Sequence, residues 1–174
     1  YQSALQNVAD NGLEDKIEVR LANGLAAFEP ADGISCITIA GMGGRLIADI
    51  LAAGLEKLAS VSRLVLQPNN REDELRDWLV EHDFRIVDEA ILEENEKFYE
   101  ILVVEQGSQE LTAKELRFGP YLMREQAPAF VQKWSKEVEK LAFALEQVPV
   151  ENQSARASLE ERIAHIKEVL HVSK

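Results

Sequence analysis

The stretch ISCITIAGMGGRLIADILAAGLEKL (34–58) decides the fold. Residues 34–40 form a nearly continuous β-branched run, the pattern of a strand buried on both faces of a parallel sheet. GMGG (41–44) then turns the chain, and residues 45–58 carry apolar side chains at helical spacing. Strand, Gly-rich turn and helix in that order form half of a β-α-β unit. Downstream, RLVLQ (63–67) reads as the next buried strand, stopped by Pro68. Residues 70–83 read as a helix with Asn70 as cap and acids in its first turn. FRIVDEAILEE (84–94) and KFYEILVVEQ (97–106) are two strands joined by a tight polar turn, hence a hairpin. Upstream, residues 1–12 have one apolar face and stop at Asn11-Gly12. KIEVRLA (16–22) alternates as a strand with one wetter face.

The string β-α-β-α-β-α-β-β over the first part implies an open, mainly parallel sheet covered by helices on both sides, with an antiparallel strand from the hairpin. The chain begins on YQSALQN, without a methionine, inside what reads as a helix. The expectation is therefore a doubly wound α/β domain at 1–109 that is N-terminally incomplete, lacking its first βαβ unit.

Residues 110–174 differ. Phe130, Trp134, Val138, Leu141, Leu145 and Val148 recur at intervals of three and four, as do Ala155, Leu159, Ile163, Ile166 and Leu170. These seams predict an antiparallel coiled-coil arm of two helices, each about 30 Å long. Trp134 on the seam reads as packing.

Composition limits the function. The 174 residues are 46% hydrophobic and 29% charged, with a formal net charge of -12. Such acidity argues against nucleic acid, whose binding rests on Lys and Arg. The charge is unevenly spread, however. Residues 1–109 hold 9 basic and 21 acidic side chains, whereas 110–174 hold 10 of each. Lys133, Lys136 and Lys140 fall on one stripe of the first arm helix, with Arg117 and Arg124 upstream, so an RNA-gripping arm stays open. The chain shows no secretory leader and no apolar run of membrane length, which points to a cytoplasmic protein without a membrane partner. Cys36, the only cysteine, reads as inert packing inside a strand. His82, His165 and His171 have no metal-ligand spacing and read as surface residues, so no metal is expected. Glu93, Glu94, Glu96 and Glu100 read as a solvated face at the hairpin. No nucleophile–base arrangement suggests hydrolysis.

In an open parallel sheet, ligands bind beyond the carboxyl ends of the strands. Three tips fall there: Asn23-Gly24-Leu25, Ala40-Gly41-Met42-Gly43-Gly44, and Gln67-Pro68-Asn69-Asn70. Glycines let a ligand approach the backbone, and the Gln and Asn amides suit a planar heterocycle. A plain turn at 43–44 and a plain helix cap at 70 explain part of the same pattern.

IAGMGG, LIADIL, LVLQPN, WLVEHDF and KFYEILVVE, followed by FGPYL and a helical hairpin, together resemble the bacterial tRNA (adenine(22)-N1)-methyltransferase family (TrmK type) over essentially the whole chain. The resemblance implies a class I S-adenosylmethionine-dependent, Rossmann-like domain followed by a coiled-coil domain, with tRNA as partner. It places a Gly-rich loop and a ribose-binding acid upstream of Tyr1. It assigns Asn23, Gly24, Leu25, Ala40, Gly41 and Met42 to the cofactor, and Gln67 and Asn69 to the target adenine. From the residues themselves, the Gly-rich turn puts Gly43 and Gly44 at the substrate base, Tyr99 is expected to stack on it if the hairpin lies close, and the stripe of Lys133, Lys136 and Lys140 is expected to meet the tRNA. A lone fragment of this kind is expected to be inactive. Two other readings remain at this point: a methyltransferase for a protein or small molecule, and a non-catalytic nucleotide-binding scaffold. Oligomeric state is left open by the sequence.

Overall fold

The structure is a computed structural model and describes residues 1–171. Four strands form one sheet: β1 (Cys36–Met42), β2 (Arg63–Pro68), β3 (Phe84–Glu94) and β4 (Lys97–Gln106), in the order β1-β2-β4-β3. β1 and β2 run parallel, and β4 lies antiparallel between β2 and β3. The second hairpin strand, β4, is thus inserted between β2 and β3, and β3 forms the rim. Its turn, Asn95-Glu96, has positive φ at both positions, the twist that a two-residue hairpin needs.

Helices α2 (Gly44–Ala52) and α3 (Glu72–Glu81) pack on the same face of the sheet. Ile47, Leu51, Leu75 and Leu79 meet Leu64, Leu66, Leu102, Val104, Phe84 and Ile86 there, almost wholly buried. Both crossovers step along the sheet in one direction, so right-handed connections put both helices on one side. On the other face Val65, Ile101 and Val103 are half-buried and Cys36, Thr38 and Ala40 are exposed. This corrects the expected cover on both sides, at least among the described residues.

Three further expectations change. Residues 34–40 do not form a strand buried on both faces: β1 starts at Cys36, sits at the sheet edge, and Cys36 itself is exposed. Residues 16–22 form no strand, leaving Ile17 and Leu21 exposed, because no described strand offers them ladder partners. The cap of α3 is Arg71 in the left-handed region, without a side-chain capping bond, rather than Asn70. The first helix, α1 (Gln2–Asp10), forms as read but buries no residue.

Beyond the sheet come α4 (Ala113–Phe118), α5 (Pro120–Glu125), α6 (Pro128–Gln147) and α7 (Gln153–His171). Thr112 and Glu115 form a reciprocal capping box at the start of α4. α6 and α7 lie antiparallel: Gln126 donates to the Val169 carbonyl at one end, and Arg156 donates to the Leu145 and Val148 carbonyls at the other. Phe130, Trp134, Leu141, Ile166 and Val169 form, with Phe118 and Leu122, a core separate from that of the sheet. Trp134 packs as read, edge-on to Phe118 at 4.5 Å between centroids. The pair is not a free arm at its base, because Ile91 of β3 packs against this second core.

Candidate active site at the strand tips

At the tip of β1 the register slips between Ala40 and Met42, leaving Gly41 as a bulge with φ of 77°. Both backbone groups of Gly41 are held by the neighbouring tip. Its N–H donates to Gln67 Oε1 at 2.9 Å, and its carbonyl accepts from Asn69 Nδ2 at 2.8 Å. Gln67 Nε2 donates to the Pro68 carbonyl at 2.9 Å and to Asn69 Oδ1 at 3.1 Å. The Asn69 N–H donates to the Met42 carbonyl at 2.7 Å. Two of the three expected tips are therefore stitched into one unit by amide side chains.

The glycines divide by what surrounds them. A Cβ on Gly41 would meet nothing within 4 Å, so that side of the backbone faces open space. Gly44 is buried, and a Cβ there would collide with the Arg71 carbonyl, while its N–H donates to the Asn70 carbonyl at 2.9 Å. A Cβ on Gly43 would lie 3.0 Å from Asn70 Oδ1. Gly43 and Gly44 thus let the start of α2 press against residues 70–71.

One side of this unit opens on a cavity of about 370 Å³ with apolar walls, including Leu25, Phe28, Ile37, Ile39, Met42 and Ile50. Gly24 and Ala40 also line it, so four of the six residues expected at the cofactor share one pocket; Asn23 and Gly41 lie outside its wall. The other side opens on a cavity of about 620 Å³ between Asn69-Asn70, the start of α3 and α6, with Lys133, Lys136 and Lys140 in its wall. An adjoining cavity of about 480 Å³ is lined by Asn69, Tyr99, Phe98 and Lys133 among others. Tyr99 therefore stands on the same side as Asn69.

The three lysines are not alike. Lys133 reaches inward, 2.7 Å from Glu100 Oε1 and 3.0 Å from Glu72 Oε1. Lys136 stands 3.4 Å from Glu93 and over the Phe98 ring, and Lys140 stands 3.6 Å from Glu137. Behind Lys133 lies a cluster that sequence reasoning missed. Arg76, wholly buried, donates to Glu89 at 2.8 Å, to Glu100 at 2.5 Å and to the Leu116 carbonyl at 3.0 Å. The other Glu89 oxygen accepts the Tyr121 N–H at 2.9 Å. Gly119 admits this packing, since a Cβ there would come within 2.6 Å of Glu89 Oε2.

Burial pushes the Glu89 carboxyl above its ordinary value, against the pull of Arg76. Burial acts on Glu100 as well, but Arg76 and Lys133 together hold that carboxyl below its ordinary value. Two cations against one explain the difference. The reading of Glu100 as part of a solvated face is therefore corrected. Its place in β4, on the same side as the buried Leu102 and Val104, was the available signal. Glu89 was harder to see. The β3 register slips between Ile86 and Asp88, and that slip turns residue 89 inward.

Of the histidines, His82 is half-buried and stacks on Trp78 at 4.1 Å, His165 is exposed, and the His171 side chain lies outside what is described. Among the described residues no group of three His, Cys, Asp or Glu is placed to hold a metal ion. No described helix is long and apolar enough to cross a membrane.

A mixed open sheet with ligand-sized cavities at its strand tips defines a Rossmann-like fold of the S-adenosylmethionine-dependent methyltransferase class. Residues 1–168 match the tRNA (adenine(22)-N(1))-methyltransferase family, and the chain belongs to that family. The tRNA (adenine(22)-N(1))-methyltransferase of Bacillus subtilis (strain 168) is 36% identical over 98% of this chain and 76% of its own length. A crystal structure of the Streptococcus pneumoniae protein Sp1610, a candidate tRNA (m1A22) methyltransferase, superposes with a TM-score of 0.95 at 64% identity, covering 98% of this chain and 77% of that one. The same protein in complex with S-adenosyl-L-methionine gives a TM-score of 0.89 at 63% identity, with coverage of 98% and 76%. The activity is accordingly transfer of a methyl group from S-adenosylmethionine to N1 of an adenine in tRNA, which favours the main sequence reading over its two rivals.

Proposed function

We propose that the Gly41–Gln67–Asn69 unit separates a cofactor pocket from an adenine site and holds the two in register. The observation that carries this is the capture of both Gly41 backbone groups by the side chains of the next tip. On one side, the 370 Å³ apolar cavity suits a flat purine between aliphatic walls, with Leu25, Ala40 and Met42 against it. When bound, S-adenosylmethionine supplies an electrophilic methyl group. On the other side, Asn69 and Tyr99 share a cavity that takes the target base.

Adenine N1 already carries an in-plane lone pair, so the protein needs no strong base. Its task is alignment, which can supply several kcal/mol, up to roughly 7–11, when reacting atoms are held about 3 Å apart. The amide groups divide the work by what they have left to give. Gln67 uses both amide hydrogens and one carbonyl lone pair within the unit, so it is a positioning residue. Asn69 keeps one amide hydrogen and one lone pair, enough to read the edge of an adenine. N1 lies on the pairing edge, so the adenine must be unpaired or flipped out to reach it, and Tyr99 offers a stacking face.

Further elements belong to the same proposal. The chain divides at 109/110 into a Rossmann-like domain and a helical domain, as the two separate cores suggest. The helix pair, extended by its seam residues, serves as a coiled-coil surface for the tRNA body. A tRNA substrate places the enzyme in the cytoplasm.

The test is methylation of a tRNA transcript by the full-length protein, read as N1-methyladenosine by mass spectrometry. Adenine at position 22 should be labelled, and a transcript with guanine there should not be. Asn69→Ala should lower kcat strongly while leaving cofactor binding near wild type. Unchanged methylation by Asn69→Ala overturns the role given to that side chain.

A further inference from the structure

Among the described residues, the wall of the 620 Å³ cavity holds one cation without an ion-pair partner. Lys133 is matched by Glu72 and Glu100, Lys136 by Glu93 and Lys140 by Glu137. Arg117, at the end of α4, makes no ion pair within 4.0 Å and no side-chain hydrogen bond among the described residues. It is half-buried, lying 5.0 Å from the Phe118 ring centroid and 5.7 Å from that of Trp134. Asp73 and Glu137 line the same cavity, and Arg162 approaches from α7, yet Glu137 pairs with Arg162 and Lys140 and leaves Arg117 alone.

Two aromatic faces fix the guanidinium plane while its N–H groups stay unpaired. That is the preparation for a bidentate bond to an oxyanion, where a planar fork outperforms an ammonium. The cavity joins Asn69-Asn70, at the proposed adenine site, to α6, the proposed tRNA surface. An RNA strand entering between them would carry its phosphates past this wall.

We infer that Arg117 binds a backbone phosphodiester of the substrate RNA beside the target adenosine, with Lys136 and Lys140 adding charge at the rim. The inference rests on the adenine-site reading above. It names Arg117 as the RNA anchor of the cavity wall and gives Lys133 a structural rather than a contact role. No bond is made or broken in the contact; it raises affinity and fixes the strand.

The experiment is tRNA binding and methylation by the full-length wild type, Arg117→Gln and Arg117→Lys over a series of salt concentrations. Each phosphate contact contributes about 0.7 to 0.9 to the slope of log affinity against log salt. Arg117→Gln should flatten that slope by about one contact and raise KM for tRNA roughly tenfold with kcat nearly unchanged. Its cofactor affinity should match wild type. Arg117→Lys, which keeps the charge and loses the fork, should restore the slope while recovering KM only in part. A wild-type slope in Arg117→Gln overturns the phosphate contact, even if KM rises, since a packing defect does not release counterions. Wild-type enzyme that fails to label the transcript overturns the adenine-site reading and this inference together. Labelling by wild type with an unchanged Arg117→Gln slope overturns only the latter.

Discussion

Two groups of charges lie a few residues apart where the helices meet the sheet, and they behave oppositely. Arg76, Glu89 and Glu100 form a dry cluster, closed on its cavity side by Lys133, in which every charge faces an opposite one, with the backbone of residues 116 and 121 supplying further bonds. Arg117, Lys136 and Lys140 border a wet cavity where pairing is loose or missing. Residue types are the same on both sides. What differs is desolvation: a buried charge costs several kcal/mol unless it is paired, whereas a charge at a cavity wall can wait for a ligand. The dry cluster holds α4, α5 and α6 to the sheet, and the wet one faces what comes between them.

The sharpest way to break this contrast is to remove the centre of the dry cluster. Arg76→Met leaves buried Glu89 without a cation and Glu100 with Lys133 alone, and should cost about 3–5 kcal/mol in urea unfolding. Arg117→Gln should cost no more than about 1 kcal/mol, the scale of a lost cation–π contact. Equal losses would erase the distinction. Next in size is Gln67→Ala, which frees the Gly41 N–H. A misplacement on the order of 1 Å should lower kcat about a hundredfold while tRNA affinity is kept.

A smaller effect follows from Glu100. Its folded-state pKa lies below the ordinary 4.5, so the stability it brings is present above that value and lost as pH falls through the lower folded one. Glu100→Gln should therefore flatten the decline of the melting temperature on the acid side of 4.5. A decline parallel to wild type would contradict the pairing with Arg76 and Lys133. Smallest of all is Lys136→Gln. Its 3.4 Å bridge to Glu93 is half-exposed, so stability should change by about 0–1 kcal/mol. The KM for tRNA should rise only a few-fold.

Much of the architecture was legible along the chain. The hairpin strands appear with the ends that alternation gave them, because period-two patterning and a polar two-residue turn are local signals. The seams of the two long helices bury Phe130, Trp134, Leu141 and Ile166 as their spacing implied. Two of the three expected strand tips, at 40–44 and 67–70, do follow neighbouring parallel strands and meet, whereas residues 23–25 follow no strand. Strand neighbours were less legible. The β-branched run at 34–40 reads as central, but burial depends on what lies on either side, and β1 has a partner on one side only among the described strands.

The sequence by itself determined the hairpin, the helices from 44 onward and their order, because propensity, periodicity and turn chemistry act over a few residues. Only the tertiary structure decided what each polar side chain is for. Gln67 spends its amide on a glycine 26 residues away, Arg76 and Lys133 are consumed by carboxylates from other elements, and Arg117 is left over. A charge takes its role from the partners that folding brings within reach and from how much water folding leaves beside it.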